Sequence, residues 1–320
     1  MTTVDRFERI RAMGCVIDPI ATRQLYADAA YLKAPVAVQV SNLPCTDVAY
    51  GEHPRQRLDV YLPQGSGGAR PVVLFLHGGG FIRGDKSERS HVGHLLAHHG
   101  FVAVLANYRL APECQWPSGA QDVASALDWV HQAIAGYGGD ASRVFVIGES
   151  AGAAHAAAAT LMQRFARPGG PRFAGVALMS GVYNPMLEYL ARQQFGIPTP
   201  DARNDAYFGP PTALLSGPDA GHYAGQYVGQ HAGQYADQCV VHLADAKPFP
   251  LLITYAELDP TQMQVQAGEL FARLVTQLGF SPALQVILAH NHLSQVWSLG
   301  TDDERLSSVL LDFLNRHSSV

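Results

Sequence analysis

The chain has 320 residues, of which 48% are hydrophobic and 15% charged, enough apolar material for a sizeable core and in keeping with one large globular domain. Its formal net charge is −5 and no Lys/Arg block occurs, which gives no electrostatic reason to expect nucleic acid or an anionic membrane as partner; a small molecule is the expected ligand. Residues 1–13 carry Asp5, Arg6, Glu8, Arg9 and Arg11 where a signal peptide would have its apolar core, and no later stretch is long enough to span a bilayer, so the expected location is cytoplasmic. Cys15, Cys45, Cys114 and Cys239 lie far apart without a C-x-x-C pair and read as free thiols.

In chain order, Val4 to about Tyr31 mixes apolar and charged positions at helical spacing (Phe7, Ile10, Leu25, Ala29), and Pro35 ends this helical arm. Asp47 to Gly51 and Leu58 to Leu62 read as a hairpin at a sheet edge. Short apolar runs then alternate with helical patterns: Val72 to Leu76, Val102 to Leu105, Val144 to Ile147, Val176 to Met179, Leu251 to Tyr255 and Leu284 to Leu288. Between them, Ala120 to Ile134, Ala267 to Leu278 and Leu306 to Leu314 show apolar faces at helical period. Such alternation predicts an α/β protein built of βαβ units on a parallel sheet, whose ligands bind beyond the carboxyl ends of the strands.

The loops at those ends carry the chemistry. Gly148-Glu149-Ser150-Ala151-Gly152 joins the run Val144 to Ile147 to the Ala-rich stretch Ala151 to Ala159, so Ser150 sits on a strand-to-helix turn. A turn this sharp needs Gly148 and Gly152 for close backbone approach, and it lifts the serine hydroxyl above the sheet at a helix N-terminus. His77-Gly78-Gly79-Gly80 follows the run Val72 to Leu76; consecutive glycines let backbone N–H groups reach an oxyanion, and the Lys and Ser/Thr of a phosphate-binding loop are missing. Glu257-Leu258-Asp259-Pro260 follows Leu251 to Tyr255 and offers two carboxylates. Asp259, further beyond the strand, is the better orienter of an imidazole, although an Asp at that place could also cap a helix opening near Thr261; Glu257 is left to pair with a neighbouring donor. His290-Asn291-His292 follows the last run. Ser150, Asp259 and His292 then occur in the order Ser, Asp, His, which distinguishes one of the three common triad arrangements. His98, His99, His131 and His155 fall within helical or loop patterns and read as surface or packing residues.

These motifs, with Asn107-Tyr108-Arg109-Leu110-Ala111-Pro112-Glu113, resemble those of α/β-hydrolase esterases of the hormone-sensitive-lipase type, in the correct order over about residues 45 to 317. The Asn-His-Leu-Ser ending differs from the His-Gly-Phe of that group and is closer to the Asp-His-Phe of bacterial feruloyl-esterase and kynurenine-formamidase-like hydrolases. The resemblance implies the α/β-hydrolase fold: a mostly parallel eight-stranded sheet with helices on both faces and a small cap. It divides the chain into an N-terminal arm, 1–45, forming part of the cap, and a catalytic domain, 46–320, with a cap segment at about 181–245. It implies Ser150 as nucleophile, Asp259 as acid, Gly79, Gly80 and Ala151 as oxyanion donors, the 108–113 stretch as a structural brace, and His77 as a residue that shapes the glycine loop without taking a proton. By analogy with Asp-His-Phe, His292 is the base and His290 is not. The expected reaction is hydrolysis of a small-molecule carboxylic ester by two-step acyl transfer, with no cofactor and no metal; a formamide or feruloyl-type substrate is the alternative, a non-catalytic binding role a remoter one, and the resemblance leaves room for a homodimer.

One segment resembles neither family. From Ala220 to Cys239 a four-residue unit repeats (Ala-Gly-His-Tyr, Ala-Gly-Gln-Tyr and variants), which on a helix would align Tyr223, Tyr227, His231 and Tyr235 in a slowly turning stripe, against which stand the repeated glycines. It reads either as a repeat expansion in a tolerant loop or as a part-helical flap over the substrate entrance.

Overall fold

The structure, a computed structural model, describes residues 2–33, 39–40, 43–65, 68–166, 173–188, 203–209, 235 and 237–318. After a short antiparallel pair, β1 (Gln39–Val40) and β2 (Leu43–Pro44), eight strands form one sheet. They are β3 (Val48–Ala49), β4 (Arg57–Tyr61), β5 (Arg70–Leu76), β6 (Val102–Ala106), β7 (Gly139–Glu149), β8 (Gly175–Met179), β9 (Leu251–Leu258) and β10 (Ala283–Asn291). Their order is β10-β9-β8-β7-β5-β6-β4-β3. The β3–β4 hairpin and its junction with β6 are antiparallel, and every other pairing is parallel, as the alternating sequence pattern predicts.

The side-chain period of two sorts the strand residues onto two faces. Leu58, Val60, Val72, Leu74, Val104, Val144, Val146 and Ile253 pack on one face against α4 (Ser118–Ala133), α5 (Ala151–Leu161) and α8 (Thr261–Leu278). Val73, Phe75, Leu105, Phe145, Ile147 and Leu252 pack on the other against α3 (Ser90–His98) and α9 (Arg305–Ser318). The central strands are therefore apolar on both faces and read as continuous runs in the sequence. β7 starts earlier than its apolar run: Gly139 pairs with Arg70, and the Asp140–Arg143 ion pair (2.7 Å) dresses its polar opening turn.

The N-terminal arm is two helices, α1 (Thr3–Met13) and α2 (Pro19–Leu25), where the sequence pattern read as one run. Gly14, at φ +70°, ends α1, and the Asp18 carboxylate caps α2 by accepting from the amides of Ile20 and Ala21. The arm is docked: Ile10, Leu25 and Tyr26 pack with Leu258 and Trp297, and the amide of Leu32 donates to the carbonyl of Gly300 at 2.7 Å. Pro35 lies outside the described residues, as does the repeat apart from Tyr235 and residues 237–239. Of the aromatic stripe, only Tyr235 is described; it is buried, and its hydroxyl donates to the carbonyl of Gly209 (3.1 Å). The remaining described helices between β8 and β9 are α6 (Asn204–Phe208) and α7 (Val240–Leu243). All four cysteines are free, and no helix among the described residues is long and apolar enough to cross a membrane.

Candidate active site

Ser150 joins β7 to α5 with φ +53° and ψ −118°, a left-side conformation costly for any residue with a side chain, of order 1–3 kcal/mol. Its amide donates to the Met179 carbonyl (2.8 Å), which holds the turn against β8. A Cβ on Gly148 would collide with the backbone of Gly152 and Ala153, and one on Gly152 with the carbonyls of Leu76 and His77. Both glycines are thus required by backbone approach, and Gly152 seats α5 against the end of β5 and the glycine loop.

The loops after β9 and β10 meet over this turn. His292 Nδ1 lies 2.7 Å from Asp259 Oδ1, and Nε2 lies 2.9 Å from Ser150 Oγ. With Nδ1–H donated to the carboxylate, Nε2 is free to accept the serine proton. Asp259 is fully buried; its Oδ2 also accepts from the Ser180 hydroxyl (2.5 Å) and the Ala256 amide (2.8 Å). It does not cap α8, whose N-cap is Pro260. Glu257 is engaged elsewhere: Oε2 accepts from the amide of Ala289 (2.6 Å), where φ is +59° and the β9–β10 register shifts. That bond pins the irregularity from which His292 projects.

His290 turns away from Ser150. Its Nε2 stands 3.1 Å from Asp303 Oδ2 and its Nδ1 3.0 Å from Ser294 Oγ, with the edge of the ring against Phe7. His155 is also a packing residue, inside α5 between Phe81, Tyr108 and Tyr207.

The glycine loop lies beside the serine. Gly79 (φ +146°) and Gly80 (φ +59°) hold backbone conformations that favour glycine, and a Cβ on Gly79 would strike the Arg83 carbonyl. His77 is buried beneath the loop: Nδ1 contacts the Gly78 carbonyl at 2.7 Å and the ring stacks on Tyr108 (4.5 Å). Burial pushes its pKa down to about 4, so the ring is neutral at pH 7. Tyr108 donates to the His77 carbonyl (2.7 Å), and the Arg109–Asp122 ion pair (2.8 Å) fixes the next residue.

A cavity of about 530 Å³ opens onto Ser150, His292 and Gly78 to Gly80. The arm contributes Ile17, Pro19, Ile20 and Arg23; Trp297 and Leu293 follow from the β10 side, and Arg203, Asn204, Gln262 and Met263 from α6 and α8. Among the described residues no group of three His, Cys, Asp or Glu side chains is arranged to hold a metal ion.

Sequence reasoning missed Ser180 and Gln295. Ser180, at φ +49°, donates to Asp259 and accepts from Gln295 Nε2 (2.5 Å), which also donates to the His292 carbonyl (3.2 Å). The only sequence signal was a serine directly after the β8 run, at the end of the sheet where ligands bind.

Strand order, the strained serine turn and the two converging loops define the α/β-hydrolase fold. Residues 58–170 match the BD-FAE family model. The chain is 37% identical over 146 residues to a probable isoprenylcysteine alpha-carbonyl methylesterase of Oryza sativa subsp. japonica, covering 44% of this chain and 34% of that protein. It is 36% identical over 132 residues to a probable carboxylic ester hydrolase of Mycobacterium tuberculosis, covering 40% of this chain and 29% of that one. The chain thus matches about a third of the length of these curated relatives. Among solved structures, esterase B from Lactobacillus rhamnosis superposes with a TM-score of 0.67 at 19% identity, over 99% of this chain and 94% of that one, which establishes likeness of fold.

Proposed function

We propose that the chain is a serine hydrolase of carboxylic esters, with Ser150 as nucleophile, His292 as general base and acid, Asp259 as the carboxylate that orients it, and the amides of Gly79, Gly80 and Ala151 as oxyanion donors. The observation that carries this reading is the His292 ring set between Ser150 Oγ (2.9 Å) and Asp259 Oδ1 (2.7 Å) at the floor of a cavity. Ser150 Oγ attacks the ester carbonyl as its proton passes to Nε2; the tetrahedral oxyanion rests on the backbone amides; the imidazolium returns the proton to the leaving alkoxide, and the acyl-serine forms. Water then attacks the acyl-enzyme by the same route, giving the carboxylic acid and free Ser150. No step calls for a cofactor.

The cavity volume suits small to medium acyl or alcohol groups. The names of the curated relatives support an ester substrate, and the resemblance of the Asn-His-Leu-Ser ending keeps a feruloyl-type ester within the panel to be tried, beside an N-formyl amide. The test is hydrolysis of p-nitrophenyl acetate, butyrate and octanoate, a feruloyl ester and an aryl formamide by purified protein, together with labelling by an organophosphonate. Turnover of esters with a label on Ser150 alone is expected. A protein inert toward all of them, or labelled elsewhere, would overturn the assignment.

A further inference from the structure

Glu149 and Arg89 form a buried ion pair directly beside the proposed nucleophile, and the acyl-transfer steps above do not use it. Arg89 closes a short 3-10 turn (Lys86–Arg89); its Nη2 donates to Glu149 Oε1 at 2.6 Å and its Nε to Oε2 at 2.7 Å, a parallel two-bond fork with both side chains buried. The other side of the guanidinium lies on the Trp297 ring, 4.9 Å from its centroid. Glu149 immediately precedes Ser150, and its Oε1 lies 2.8 Å from where a Cβ on Gly78 would stand, so the carboxylate touches the glycine loop. Both residues line the cavity that holds Ser150.

We propose that Arg89 is a positioning residue of the esterase reaction: by neutralising Glu149 it lets that carboxylate brace the glycine loop without setting a net negative charge beside the oxyanion. The inference rests on the ester-hydrolase reading. Coulomb's law gives the reason. A bare carboxylate in a poorly solvated site repels an oxyanion forming a few ångströms away, whereas a tight fork presents only a dipole there. The charged and titratable groups facing Glu149 are Arg89 from the turn, His77 at the end of β5, His91 on α3, Tyr108 after β6 and His292 after β10. Burial acts to raise the Glu149 carboxyl pKa, and Arg89 outweighs it, so the group stays below the usual carboxylate range. Without Arg89 the burial effect is left largely unopposed and Glu149 titrates at higher pH.

The test is a double-mutant cycle of R89M, E149Q and R89M/E149Q, followed by kcat, KM, thermal midpoint and the pH profile of kcat on a short p-nitrophenyl ester. R89M should lose about a hundredfold in kcat, the scale of one lost oxyanion donor, with KM little changed. Its profile should gain a falling limb above the raised Glu149 pKa, because activity survives only while that carboxyl is protonated. E149Q should lose less than tenfold. The double variant should recover to within about tenfold of wild type and lose the added limb, since a buried pair can be replaced by neutral groups when both charges leave together. A folded double variant as slow as R89M, or a double variant that does not fold, would show the pair to be only a structural tie and overturn the proposal. So would an R89M profile identical in shape to wild type. If the wild-type protein hydrolyses esters and the cycle fails, only this inference falls; if the wild-type protein is inert, both fall.

Discussion

Two histidines stand two residues apart at the end of β10, and each faces a buried aspartate. His292 meets Asp259 at 2.7 Å and His290 meets Asp303 at 3.1 Å. What separates them is the second ring nitrogen. In His292 it points at Ser150 Oγ on the floor of the cavity; in His290 it points at Ser294 Oγ, with Phe7 of α1 against the ring, and the residue has no exposed surface. A His–Asp pair is therefore no catalytic signature by itself. It becomes one when the free nitrogen faces a nucleophile that substrate can reach, and otherwise it ties an arm to the body, as the Arg305 guanidinium 3.5 Å over the Phe7 ring does on the far side.

Substitutions can break this contrast, and the largest effects belong to the pair facing the cavity. S150A and H292A should each lower kcat by several orders of magnitude while leaving the thermal midpoint within a few degrees, measured by ester hydrolysis and calorimetry. D259N should cost about 10³ to 10⁴ in kcat, because the amide can hold the wrong tautomer of His292. If H290N were the dead variant and H292N the active one, the two pairs would have to exchange roles.

Smaller effects sharpen the contrast. S180A removes one of three hydrogen bonds to the Asp259 carboxylate, and a charged hydrogen bond contributes about 1.5–3 kcal/mol, so a loss of about ten- to a hundredfold in kcat is expected. H290N and D303N should leave kcat within about tenfold but lower stability, since each strands a buried partner. For Asp303, burial raises the carboxyl pKa, while the close contact with His290 and the Arg305 contacts lower it further, below 3.8. A folded-state value depressed in this way adds stability that is present above 3.8 and lost as pH falls through the folded value. The Tm difference between wild type and D303N should accordingly be largest near neutrality and shrink in strong acid.

The smallest effect concerns the packing histidines. Burial pushes His77 to about 4, with the Gly78 hydrogen bond opposing it, and His155 to about 3. Their folded values lie below the ordinary 6.5, so the unfolded chain binds more protons and stability falls as pH drops from 6.5 toward 4. H155F should make the Tm-against-pH curve shallower over that range, and an unchanged slope would show that His155 is not buried neutral.

Much of the fold could be read directly because the central strands are buried on both faces and most covering helices, α5 apart, on one, which leaves runs and periodicities in the sequence. Where burial weakens, the reading weakens: the polar first half of β7, the break of the arm at Gly14 and the five-residue gap before α2 left no strong apolar period. The segment between β8 and β9 could be read least, and its repeat falls mostly outside the described residues. Similarly, Ser150, Asp259 and His292 announced themselves because each sits in a loop directly after an apolar run. Ser180, Gln295 and Arg89 did not, because a hydroxyl, an amide or a guanidinium gains its role only from the group brought against it.

The sequence alone determined the parallel sheet, the glycine-bounded serine turn and the order of the three site residues, since these depend on local period, on backbone space and on position after a strand. It determined also that Gly148 and Gly152 could carry no side chain. Only the tertiary structure decided that His292 and not His290 reaches Ser150, that Asp259 takes the imidazole while Glu257 pins the β10 irregularity, that the N-terminal arm walls the cavity, and that Arg89 closes on Glu149. Those decisions rest on contacts between groups 33 to 142 residues apart for Ser150, Asp259 and His292 and 60 for the ion pair, and such pairings are set by packing across the sheet, which no local pattern encodes.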